Sequence, residues 1–152
     1  MSMTTQNKSL HQIAINMTQE HKELLFKDLC ARLPYGVNIL HEGWNFEWDD
    51  ELSTVEKVVG IDEDFIYTKV INTHNGKEYR DDKWPIDTFD DKLFLRPMSS
   101  MTEEQNKEWL YTLSSDYNIT YDTVDWLNKN HFDYRGLIEK GLAIDATNLN
   151  IY

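Results

Sequence analysis

The chain has 152 residues, 40% of them hydrophobic, which is enough for one domain with a buried core and too many for a wholly disordered chain. Its net charge of −12 at pH 7 repels phosphate backbones, and Lys and Arg do not cluster along the sequence, so direct nucleic-acid binding is disfavoured. Cys30 is the single cysteine, which excludes an intramolecular disulfide and a multi-cysteine metal site and fits a reducing cytoplasm.

Residues 1–17 read as a mobile N-terminal segment. The first nine are polar and carry no secretory h-region. Nowhere does an apolar run approach the roughly 20 residues that a membrane-spanning helix needs. Thr18 is a helix N-cap with Glu20 in the first turn, and Leu25, Leu29 and Leu33 recur at helical spacing, flanked by Phe26 and Cys30. The pattern predicts a helix over 19–32, which Pro34 stops. Val37 to Leu40 predicts a first strand. Trp44, Phe46 and Trp48 then alternate with polar residues, as in a strand with one bulky apolar face or in an aromatic loop exposed for binding. Val55 to Ile61 predicts another strand, in which Gly60 marks a bulge or turn. Asp62-Glu63-Asp64 is a polar turn.

Phe65 to Ile71 is β-rich, and His74-Asn75-Gly76 supplies the positive φ of a type I′ turn, so 64–80 reads as a hairpin. Pro85 confines the Trp84 segment to a sheet edge. Leu93 to Leu95 forms a further strand, ending at Arg96-Pro97. Thr102 with Gln105 predicts a capping box, and the helix that follows buries Trp109, Leu110 and Leu113. Thr120 caps a third helix running to Asn128, with Tyr121, Val124 and Leu127 on its apolar stripe and Trp126 near the edge. Leu137-Ile138 sits in a short turn that Gly141 terminates, and Leu142 to Ile144 adds an edge strand. The fold expected is a single α+β domain over 18–147 with a loose C-terminus at 148–152. It has an N-terminal helix, a small antiparallel sheet or SH3-like barrel, then two or three helices.

Catalytic and metal motifs are missing from this pattern. Cys30 lies among Phe26, Leu29 and Leu33, so a core role is preferred to that of a nucleophile. His11, His21, His41, His74 and His131 have no metal-ligand spacing, and the acidic turns lack the arrangement of a calcium loop. The expected site therefore contains no catalytic residue, metal or cofactor. Five Trp and eight Tyr either fill a small core or form a recognition surface. The candidate binding residues are Trp44, Phe46, Trp48 and Trp84, with His131, Asp133, Tyr134 and Arg135 from a dense segment at 126–138. That segment reads as a structural clasp between the helices and the β unit, with a polar pocket as the alternative.

Leu29 to Val37, Leu95 to Thr102 and Trp126 to Gly141 together resemble a family of small uncharacterised proteins from gut anaerobic bacteria and their phages or prophages. The resemblance covers most of the chain after Thr18. It implies cytoplasmic expression, with a partner still to be identified, and it carries over no catalytic residue. Three readings follow. The first is a non-enzymatic protein-interaction module. The second is an acidic inhibitor that imitates nucleic acid and targets a host DNA- or RNA-binding or defence protein. The third is an enzyme with a site assembled from residues such as His131, Asp133 and Arg135.

Overall fold

The computed structural model describes residues 18–45, 50–73 and 81–152, and for 43–45, 50–53 and 72–73 it describes the backbone alone. The N-terminal segment 1–17, Phe46, Trp48 and the turn at 74–76 lie outside the described residues.

Helix α1, Gln19–Arg32, starts where expected, with the Thr18 side chain accepting from the His21 backbone N–H at 3.1 Å. Its buried face is Leu25, Asp28, Leu29 and Arg32, spaced i, i+3, i+4, i+7. Cys30 and Phe26 fall outside that face. Cys30 is exposed, which corrects the core reading. The helix ends in a tight 3-10 turn at Leu33–Tyr35, and Gly36 then takes φ +75, a left-handed angle that costs other residues about 1 kcal/mol. A Cβ at Gly36 would also come within 2.5 Å of Lys57 Cε, at the far end of a flexible side chain that can move aside. Gly36→Ala is therefore expected to lower stability by about 1–2 kcal/mol in urea unfolding; an unchanged midpoint would refute the strained-turn account.

The strands are β1 Val37–Asn45, β2 Asp50–Ile61, β3 Phe65–Thr73, β4 Asp82–Pro85, β5 Lys92–Pro97, β6 Phe132–Asp133 and β7 Ala143–Asp145. They form one sheet in the order β4-β3-β2-β1-β5-β6, with β7 also paired to β5. β1 to β5 pair antiparallel, whereas β6 and β7 lie parallel to β5. β4 and β6 end the path without meeting, so the sheet is open and the SH3-like closure does not form. Several local expectations hold. Gly60 sits at a register shift in β2, β4 is an edge strand ending in Pro85, and Asp62 Oδ1 accepts from the N–H groups of Asp64 and Phe65 at the polar turn.

The register sorts side chains onto faces. Val37, Ile39 and His41 stand opposite Val58, Glu56 and Thr54, while Ile66 and Thr68 stand opposite Trp84 and Asp82. The Val37, Ile39, Val58 and Ile66 end of this face is apolar, and Leu25 and Leu29 of α1 join it in the core. The other end, from Glu56 to Thr54 and Thr68, is buried and polar. Beyond the sheet, α2 (Glu103–Thr112) and α3 (Tyr121–Lys129) start from full capping boxes at Thr102 with Gln105 and at Thr120 with Thr123. No described helix is long and apolar enough to cross a membrane.

Candidate binding site

The dense segment 131–135 is used by the fold itself. Arg32, wholly buried, bonds Asp28 through Nε at 2.7 Å and the Phe132 carbonyl through Nη2 at 2.7 Å. Its guanidinium lies 5.3 Å from the centroid of the Tyr134 ring. Arg135 donates to the other Asp28 oxygen at 3.5 Å. Asp133 instead receives the backbone N–H groups of Leu137 and Ile138, each at 2.9 Å, which fixes the turn after Gly136. Tyr134 accepts from Arg135 and donates to Asn128 Oδ1 at 2.8 Å. Of the residues expected as a polar pocket, Tyr134 and Arg135 thus tie β6 to α1 and α3, and Asp133 holds the turn that follows.

His131 has φ +63 and its ring stacks on Tyr152 at 3.4 Å between centroids. Tyr152 donates to the Phe94 carbonyl and accepts from the Asn38 N–H, and Asn38 Nδ2 donates to the Ile151 carbonyl. The expected looseness of 148–152 therefore does not extend to Ile151 and Tyr152. Burial, with the charges of Arg32, Arg96 and Lys57, lowers the His131 pKa to about 4, and burial pushes the Tyr152 hydroxyl up to about 12.

Trp84 belongs to a second buried group. Glu56, 1% exposed, accepts from Thr54 at 2.7 Å, Thr68 at 2.6 Å and Trp84 Nε1 at 3.3 Å. The Trp84 ring stacks on His41 at 4.0 Å, and His41 Nδ1 bonds Asp91 at 2.9 Å. Burial opposes the charge on His41, but Asp91 beside it, with Glu56 and Asp82, holds its pKa above the ordinary value. Asp91 is itself raised, by burial that outweighs its partner. Trp84 is therefore half-buried, held by Glu56 and His41. The Trp44 side chain lies outside the described residues, as do Phe46 and Trp48. Among the described residues no cluster of three or more His, Cys, Asp or Glu is placed to hold a metal.

The two histidines set opposite pH limbs. A raised folded pKa at His41 adds stability that is complete below the ordinary pKa of 6.5 and is lost as pH rises through the folded value. A lowered pKa at His131 leaves stability complete above 6.5 and removes it as pH falls towards about 4. Thermal melts across pH should show His131→Asn flattening the acid limb and His41→Asn the alkaline limb. The reverse assignment, or unchanged limbs, would contradict these environments.

Among the described residues, the largest concentration of exposed apolar groups lies away from the candidates expected from the sequence. Tyr111, Tyr117 and Tyr121 are 89%, 80% and 92% exposed, with Ile119 at 67% and Leu110 at 45%. All five fall in the stretch 110–121, at the junction of α2 and α3. The expected burial of Leu110 and Tyr121 is corrected here. Thr112, at the last turn of α2, gives its carbonyl to both the Thr120 and Thr123 hydroxyls, at 2.8 and 3.0 Å, so Tyr111 and Tyr121 flank a bonded junction. Between them Ser114 and Asn118 close a tight turn that carries Tyr117 at φ +61. The turn chemistry was visible in Ser114 and Asn118, but nothing local distinguished an outward tyrosine from an inward one.

No family model, curated protein or solved structure matches the chain.

Proposed function

We propose that the protein is a non-enzymatic protein-interaction module that engages its partner through the α2–α3 junction. The observation that carries this reading is the exposure of Tyr111, Tyr117 and Tyr121 together, beside Ile119 and Leu110. Single exposed apolar side chains are ordinary, whereas several gathered on one short stretch are the usual mark of an interface. Tyrosine adds contact area at small entropic cost, and a bonded junction fixes the backbone that carries these residues. The resemblance to proteins of gut anaerobes and their phages supports a cytoplasmic setting in a bacterial host.

A photo-cross-linking residue at position 117 or 121, in an extract of cells that express the protein, should give one discrete adduct. The same residue at Val59, 53% exposed on β2, should give none. Equal labelling at all three positions, or none, would end the proposal. Tyr111→Ser, Tyr117→Ser and Tyr121→Ser should each leave folding stability within about 0.5 kcal/mol in urea unfolding, since exposed side chains contribute little to it.

A further inference from the structure

Resting on that reading, we infer that the partner presents Arg or Lys side chains, as a basic protein segment whose cations stack on these tyrosines. The exposed side chains over 103–129 include Glu103, Glu104, Glu108, Asp116, Asp122 and Asp125 against Lys107 and Lys129, six acids to two bases. The acids are not spread evenly about the rings. Asp116 precedes Tyr117 and Asp122 follows Tyr121, while Glu108, one helical turn before Tyr111, accepts from Trp126 Nε1 at 3.3 Å. An aromatic face attracts a cation through its quadrupole, and a neighbouring carboxylate pairs with the same cation. The junction thus sets a carboxylate next in sequence to two of its exposed tyrosines.

The same charges rule out other occupants. A second copy of this face would set its surplus of acids against an equal surplus, and like charges juxtaposed in an interface oppose association. Nucleic acid would meet the same repulsion. A wholly apolar surface would strip water from Asp116 and Asp122 without giving them a partner.

The full-length, isotope-labelled protein should be titrated with a repeating Gly-Arg decapeptide and, in parallel, with its Gly-Glu counterpart. With the arginine peptide, the largest amide shifts should fall within 108–125. Affinity should drop about tenfold in the double variant Tyr117→Ser/Tyr121→Ser. It should also drop about tenfold or more when salt rises from about 50 to about 500 mM. No shifts, shifts spread over the whole acidic surface, equal response to the glutamate peptide, or full binding by the variant would each overturn the inference. A cross-linked partner at position 117 whose contact segment is acidic or insensitive to salt would overturn it while leaving the interaction module standing. Failure of the cross-linking itself would remove the reading beneath it.

Discussion

Arg32→Ala is expected to cost about 3–5 kcal/mol. Arg32 and Asp28 are both 0% exposed and 2.7 Å apart, and the guanidinium also holds the Phe132 carbonyl. Removing one partner leaves a carboxylate stranded in the interior, where Arg135 at 3.5 Å is its remaining cation. Against a total stability typically about 5–15 kcal/mol, such a loss leaves the fold marginal. The double change Asp28→Leu/Arg32→Met should recover much of it, because a matched apolar pair removes the desolvation of both charges. It will not recover everything, since the Phe132 carbonyl still loses its donor. Urea unfolding of the three variants decides the matter: a loss below about 1 kcal/mol for Arg32→Ala would mean that water reaches Asp28.

Glu56→Ala should cost about 3 kcal/mol, through a cavity and three donors left without their acceptor. Glu56→Gln keeps the volume and should cost about 1 kcal/mol, because the Thr54 and Thr68 hydroxyls can rotate to accept from the amide. The glutamine variant has a second signature. The Glu56 charge helps to raise the pKa of His41, Asp82 and Asp91, so all three should move towards their ordinary values. Following the His41 ring by NMR across pH tests this without reference to stability. An unmoved titration would show that Asp91 and Asp82 set the histidine without Glu56.

The features legible in the sequence were those whose cause lies within a few residues. Thr18, the Thr102 with Gln105 pair and Thr120 cap helices through bonds three residues long. Gly60 and the Asp62 turn are equally local. The clasp at 131–135 was legible as a dense run of special residues, though its partners in α1 were not. Asp28 and Arg32 have the spacing of an ordinary surface ion pair on a helix, and only the arrival of Phe132 makes that face internal. Reading the apolar letters alone widened the α1 stripe to include Cys30. Glu56 likewise sits where a half-buried strand would show solvent a polar residue, and its burial depends on β3, β4 and His41. Closure of the sheet was the least legible of all, because parallel pairing of β6 and β7 with β5 leaves no local mark in any of the three strands. The tyrosines at the α2–α3 junction follow the same logic, since neither helix alone determines which of its aromatics face outward.

The bonds from Arg32 to Phe132 and from Asn38 to Tyr152 span 100 and 114 residues of chain. A growing polypeptide therefore leaves the ribosome with α1 and β1 waiting for segments made about a hundred residues later. Closing such long loops is entropically slow, and contacts of this range retard folding more than they weaken the finished state. Until Leu137 and Leu142 have been made, the apolar side of α1 has no complete shelter, and that interval is when a nascent chain of this design is open to aggregation or to chaperones.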